Sequence, residues 1–156
     1  MKKETILIII TAIIAVLFFY ASFSKLIDYD KSQWEMKNQI FPIGIAWVLT
    51  WLIPSIEIVL TFLLLFPTTR KKALWASLLL LTAFTLYIAI VMTRVFGRIP
   101  CSCGGILKNM DYGTHLIFNL FFIVLALLGL AIDNDWIAYN RLFTLKKRKD
   151  QLQTSV

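Results

Sequence analysis

TILIIITAIIAVLFFYASF, residues 5–23, decides the fold. At 1.5 Å of rise per residue, an uncharged helical run of about 20 residues crosses the ~30 Å of hydrocarbon in a bilayer. The competing reading is a secretory signal peptide, because Lys2 and Lys3 precede the run and Tyr20-Ala21-Ser22 resembles a small-residue exit. Signal peptides use a shorter apolar core and an A-x-A-like end, and no cysteine follows here for lipid attachment. The run is therefore read as a retained transmembrane helix.

Working outward, three more apolar stretches, residues 45–66, 73–96 and 114–132, have similar length. The sequence thus predicts an all-α membrane protein, a bundle of four transmembrane helices. Composition agrees: 59% of the 156 residues are hydrophobic, 16% are charged and the mean hydropathy is +0.77, which excludes a soluble globular domain. Residues 1–135 read as the transmembrane domain. Residues 136–156 read as a basic cytoplasmic tail, amphipathic through Trp136, Tyr139, Leu142 and Phe143, lying at the membrane interface.

Short loops rich in Lys and Arg stay cytoplasmic. An N-in/C-in arrangement puts Lys2, Lys3, Arg70, Lys71, Lys72, Arg141 and the run Lys146 to Lys149 on that side, ten of the 16 basic residues. Lys25, Lys31, Lys37, Arg94, Arg98 and Lys108 fall opposite, the first three beside Asp28, Asp30 and Glu35. Both termini are expected in the cytoplasm of a bacterial inner membrane. The net charge of +7 then reflects topology and a tail on anionic lipid, not affinity for nucleic acid.

The same topology sets Pro100-Cys101-Ser102-Cys103-Gly104-Gly105 in the oxidising periplasm, where disulfide chemistry is allowed. Cys101 and Cys103 are the only two cysteines. A bridge across one intervening residue closes a very small ring and is strained. Strain raises the reduction potential and favours an exchanger over a structural staple. Gly104 and Gly105 supply the backbone freedom the bend needs, Pro100 rigidifies the approach, and Arg98 and Lys108 favour the thiolate. Two other readings stay open: an inert loop disulfide, and a metal set of Cys101, Cys103, Asp111 and His115. Without a second C-x-C or His pair the latter is a weak zinc signal, so no metal is assigned.

His115, the only histidine, follows that loop and is either a base for a thiol or a satisfied interfacial side chain. Glu57 is a carboxylate in an apolar run, where it costs several kcal/mol unless protonated, paired or wetted. It reads as a proton or quinone contact, or as a neutral acid bonded to Thr or Tyr87. About twelve residues below the outer end of its helix, it is expected ~18 Å deep, which argues against direct proton exchange with the cysteines.

Residues spaced i, i+4, i+7 share a helix face. The faces expected to turn inward are Thr11, Ala15, Phe18, Ser22 and Lys25; Thr50, Pro54, Glu57 and Thr61; Thr82, Thr85, Ala89 and Thr93; and His115, Asn119, Phe122, Ala126 and Gly129. Residues 28–42, with Trp34, Met36, Ile40 and Phe41, predict a short amphipathic helix on the outer surface, either a lid over the cysteine loop or an interfacial connector. Trp47 and Trp51 read as interfacial anchors.

Phe23-Ser24-Lys25, Pro54-Ser55-Ile56-Glu57, Phe84-Thr85 with Tyr87, and Pro100 to Gly105 before His115 and Asn119 together carry a resemblance. From about residue 5 to residue 132 the chain resembles the MauE branch of the DoxX-like four-helix membrane proteins. That resemblance implies a protein working with a periplasmic thioredoxin-like partner to form disulfides in methylamine dehydrogenase, although nothing in this chain points to methylamine. The DoxX branch implies a membrane subunit of a thiosulfate:quinone oxidoreductase. The C-x-C-G-G loop favours the MauE side.

The functional expectation is a membrane protein whose Cys101 and Cys103 exchange thiols and disulfides with a thioredoxin-like protein during maturation of extracytoplasmic proteins. His115 is the candidate base, Glu57 the candidate proton or quinone contact, and a quinone the one cofactor considered. The alternative is a noncatalytic subunit that anchors or assembles a larger envelope complex. A membrane-impermeant maleimide should label reduced Cys101 or Cys103 in intact spheroplasts; labelling only after lysis would reverse the orientation.

Overall fold

The computed structural model describes residues 3–93 and 112–153, with side chains described for 3–93 and 113–134. Cys101 and Cys103 lie outside the described residues, as do Pro100, Gly104, Gly105 and Asp111. Within the described residues every regular element is a helix: α1 (Lys3–Ile27), α2 (Tyr29–Lys37), α3 (Ile43–Leu65), α4 (Arg70–Met92) and α5 (Tyr112–Gln153). Four of these are long and apolar enough to cross a membrane: α1, α3, α4 and the Gly113–Asn134 part of α5. The chain is a multi-pass membrane protein.

Helix ends follow from local chemistry. Glu4 in the first turn of α1 and Lys25 in its last complement the helix dipole, and the helix outruns the apolar stretch at both ends. Pro67 disfavours helical geometry at the residue before it, and Phe66 accordingly leaves α3 in an extended conformation, φ −94° and ψ 126°. The chain then turns back at once, with the Arg70 N–H donating to the Phe66 carbonyl at 3.0 Å. The fourth span, Gly113–Asn134, agrees with the expected 114–132, but the helix that carries it runs on. Its backbone stays helical to Gln153, making α5 42 residues long, and the basic tail continues the membrane helix.

Packing is antiparallel between chain neighbours, with α1 against α3 and α5, α4 against α3 and α5, and α2 laid on α3 and α1. Leu7, Ile10, Ile14 and Phe18 of α1 meet Leu60 and Leu64, Leu74 and Leu81, and Phe122 and Leu130 in one buried cluster. Lipid is as apolar as these side chains, so helix association depends on close fit. Gly129 shows how close: a Cβ there would lie 3.2 Å from Ile10 Cγ2 and 3.4 Å from Leu74 Cδ1. Ile8, Val16, Leu79 and Ile117 face outward.

The expected inward faces of α1 and α3 are buried, Lys25 only partly. On α5, Asn119, Phe122, Ala126 and Gly129 are buried and His115 half-buried. On α4 the expectation fails. Ala73, Leu74, Ser77, Leu81, Ile88 and Val91 are buried, whereas Thr82, Thr85 and Ala89 are half-buried and Thr93 is exposed. A helical threonine can satisfy its own hydroxyl. Thr85 donates to the Leu81 carbonyl at 2.7 Å and Thr93 to the Ile90 carbonyl at 2.6 Å, so their polarity gave no reason to turn inward.

Gly129→Leu should force Ile10 and Leu74 apart and cost about 1–3 kcal/mol, the usual range for overpacking a tight core. The check is a lowered thermal midpoint of the purified protein in detergent, with the outward-facing Ile117→Leu unchanged.

Candidate functional site

The site begins with a register. Thr61 Oγ1 donates to the Glu57 carbonyl of its own helix at 2.8 Å and reaches the Ala15 carbonyl of α1 at 3.4 Å, which sets α1 and α3 side by side at that level. Side chains lean toward the N-terminus of their own helix. In an antiparallel pair, therefore, Lys25 near the end of α1 leans inward along the bundle while Glu57 leans toward the bundle end at which α1 stops. They meet: Lys25 Nζ lies 2.6 Å from Glu57 Oε1, the two side chains being 18% and 2% exposed. Alone, either charge in this setting costs several kcal/mol; together they offset much of that cost.

The pair stands in the wall of a cavity of about 280 Å³. Leu17 and Phe18 of α1, Leu49 and Ile53 of α3, and Leu81, Phe84 and Ile88 of α4 give it an apolar surface. Lys25, Gln39, Glu57, Tyr87, His115 and Asn119 are its polar members. Residues 28–42 roof it through Met36, Gln39 and Phe41. The roof is fastened: Tyr87 Oη donates to Gln39 Oε1 at 2.5 Å, Gln39 Nε2 donates to the Glu35 carbonyl at 3.2 Å, and Phe41 stacks on Tyr87 with ring centroids 5.3 Å apart. Tyr29 packs on Trp51 at 5.1 Å on the outer side of α3. The segment weighed as a lid or connector is thus the cover of this cavity.

Two buried polar atoms of the lining residues have no hydrogen-bond partner among the described residues: Glu57 Oε2, an acceptor, and Asn119 Nδ2, a donor. Both residues are almost fully buried, at 2% and 4% exposure. A mostly apolar cavity with a few convergent polar groups is the usual form of a small-molecule site.

Glu57 and His115 both line this cavity, while the cysteines against which the depth of Glu57 was weighed lie outside the described residues. Glu57 is paired with Lys25, while the Tyr87 hydroxyl donates to Gln39. Of the proposed metal set, only His115 falls among the described residues. Cys101 and Cys103 belong to the connection from α4 to α5, and Tyr87, Ile88 and His115 from the adjoining helix ends line the cavity. Sequence reasoning put Lys25 on an inward face without seeing it as the partner of Glu57. The available signal was that an intramembrane carboxylate requires a cation on a facing helix.

The arrangement defines a class: a four-span helical membrane protein with an ion-paired, roofed cavity lined by residues of α1, α3, α4 and α5. The family model described as methylamine utilisation protein MauE matches residues 3–132, and the chain belongs to that family. No curated protein and no solved structure matches it.

Lys25→Met leaves the Glu57 carboxylate buried and unpaired, and should lower stability by about 3 kcal/mol or more. Lys25→Met combined with Glu57→Met should recover most of that loss. Reversible unfolding in mixed micelles measures both; equal losses in the single and double variants would show that the pair carries no coupling.

Proposed function

We propose that this MauE-family protein resides in a bacterial inner membrane with both termini in the cytoplasm. There it uses Cys101 and Cys103 for thiol-disulfide exchange with a periplasmic thioredoxin-fold partner, in support of the maturation of extracytoplasmic proteins. The observation that carries the reading is the family match over residues 3–132, which spans the Pro100 to Gly105 motif. Placement of the motif in the chain supports it, since residues from both flanking helices line the polar cavity.

In the oxidising direction, a partner thiolate attacks Cys101 Sγ of the bridged pair and Cys103 Sγ leaves as a thiolate. The second partner thiol, once deprotonated, attacks the partner sulfur of the mixed disulfide and releases Cys101. The partner loses two electrons and two protons to become a disulfide, and the pair becomes a dithiol. The reverse direction makes and breaks the same bonds. His115 is suited to accept a thiol proton because it is half-buried at the start of α5, the helix that follows the motif.

Cys103→Ser should accumulate a reductant-sensitive adduct with a thioredoxin-fold protein, identified by mass spectrometry of the trapped complex. If no adduct forms and Cys101→Ser retains full function in cells, exchange is excluded and the anchoring subunit becomes the better account.

A further inference from the structure

We infer that the cavity roofed by residues 28–42 binds a lipid-soluble quinone; its role as electron acceptor rests on the exchange reading, but the binding does not. Three observations converge on this ligand class.

First, the walls favour a flat apolar ring. Phe18, Phe41, Phe84 and Tyr87 border a space of about 280 Å³, at the small end of ligand cavities, large enough for a ring head whose tail runs outside. Second, the cavity borders the bilayer. Among its lining residues Ala83 of α4 is exposed on the lipid-facing surface, and Phe84 of α4 and Ile53 of α3 are half-buried, so part of the wall reaches the hydrocarbon side of the bundle. Third, the unused hydrogen-bonding capacity comes in both signs. Asn119 Nδ2 has a proton to donate and Glu57 Oε2 a lone pair to offer, and neither has a partner among the described residues.

A quinone carbonyl accepts a hydrogen bond and a hydroquinone hydroxyl donates one. The free donor therefore suits the oxidised ring and the free acceptor the reduced one, after rotation about the terminal side-chain bonds. An ordinary acyl chain would satisfy neither group. The reaction balances: the Cys101–Cys103 dithiol gives up two electrons and two protons as its S–S bond forms, and the quinone takes both to become the hydroquinone. The exchange cycle is then regenerated by an oxidant held within the same bundle.

The test uses the full-length protein in phosphatidylcholine nanodiscs titrated with oxidised decyl-ubiquinone, with partitioning into empty discs subtracted. Saturable binding near one quinone per chain is expected. Asn119→Leu removes an unpartnered donor and should keep the fold, yet weaken binding at least tenfold. Ile53→Phe, which narrows the cavity, should weaken it similarly, whereas the lipid-facing Leu79→Ala should not. Uptake no greater than in empty discs, or affinity unchanged in both cavity variants, overturns the assignment. Because binding is read without turnover, a trapped mixed disulfide accompanied by no quinone binding removes this inference and leaves the exchange reading standing.

Discussion

The ion pair between Lys25 and Glu57 is the constraint around which the rest of this bundle is arranged. A carboxylate at 2% exposure within apolar helices needs compensation, and the structure supplies it 2.6 Å away from the neighbouring helix. That requirement fixes which faces of α1 and α3 meet, because only the antiparallel pairing lets the two side chains lean toward each other. Thr61 and Ala15 hold the same register one turn beyond Glu57. Lys25 also shares the cavity wall with His115, so polar groups from α1, α3 and α5 converge there.

The pair also divides the bundle into two regions of different character. Toward the α3–α4 turn, Ala73, Ser77, Ala126 and Gly129 let the helices approach, and α1, α4 and α5 close up tightly. Toward the other end the lining side chains are larger, aromatic or polar, and the helices stand off around a cavity that residues 28–42 must cover. The tight region supplies rigidity; the open region supplies a place for chemistry. A roof fastened through Tyr87, Gln39 and Phe41 covers the interior.

Much of this was legible in the sequence, for physical reasons. Runs such as residues 5–23 have no stable home except a membrane or a core larger than this chain can build, so the four spans could be read directly. Period-3.6 polarity located the buried faces of α1 and α3 and most of that of α5, because Glu57, Asn119 and Ser22 are expensive to leave in lipid. It misplaced the face of α4, since Thr82, Thr85 and Thr93 resemble core polar residues and helical threonines can bond to their own backbone. The pairing of Lys25 with Glu57, and of Tyr87 with Gln39, depends on inter-helix register, which spacing within one helix does not encode. The buried Arg70 and Asp133 near the opposite end were missed for a related reason: basic residues beside a span were read only as topology signals.

MauE-family membership, the outward C-x-C motif of the proposed topology and the polar cavity beside its flanking helices converge on one account, in which Cys101 and Cys103 cycle and the bundle delivers the oxidant. The most direct measurement is the redox state of the pair in living cells, obtained by rapid acid quenching, alkylation of free thiols and separation by mass shift. The account predicts that dithiol and disulfide forms are both populated and that the balance moves toward dithiol when the membrane quinone pool is reduced. A pair locked in one form under both conditions would contradict it.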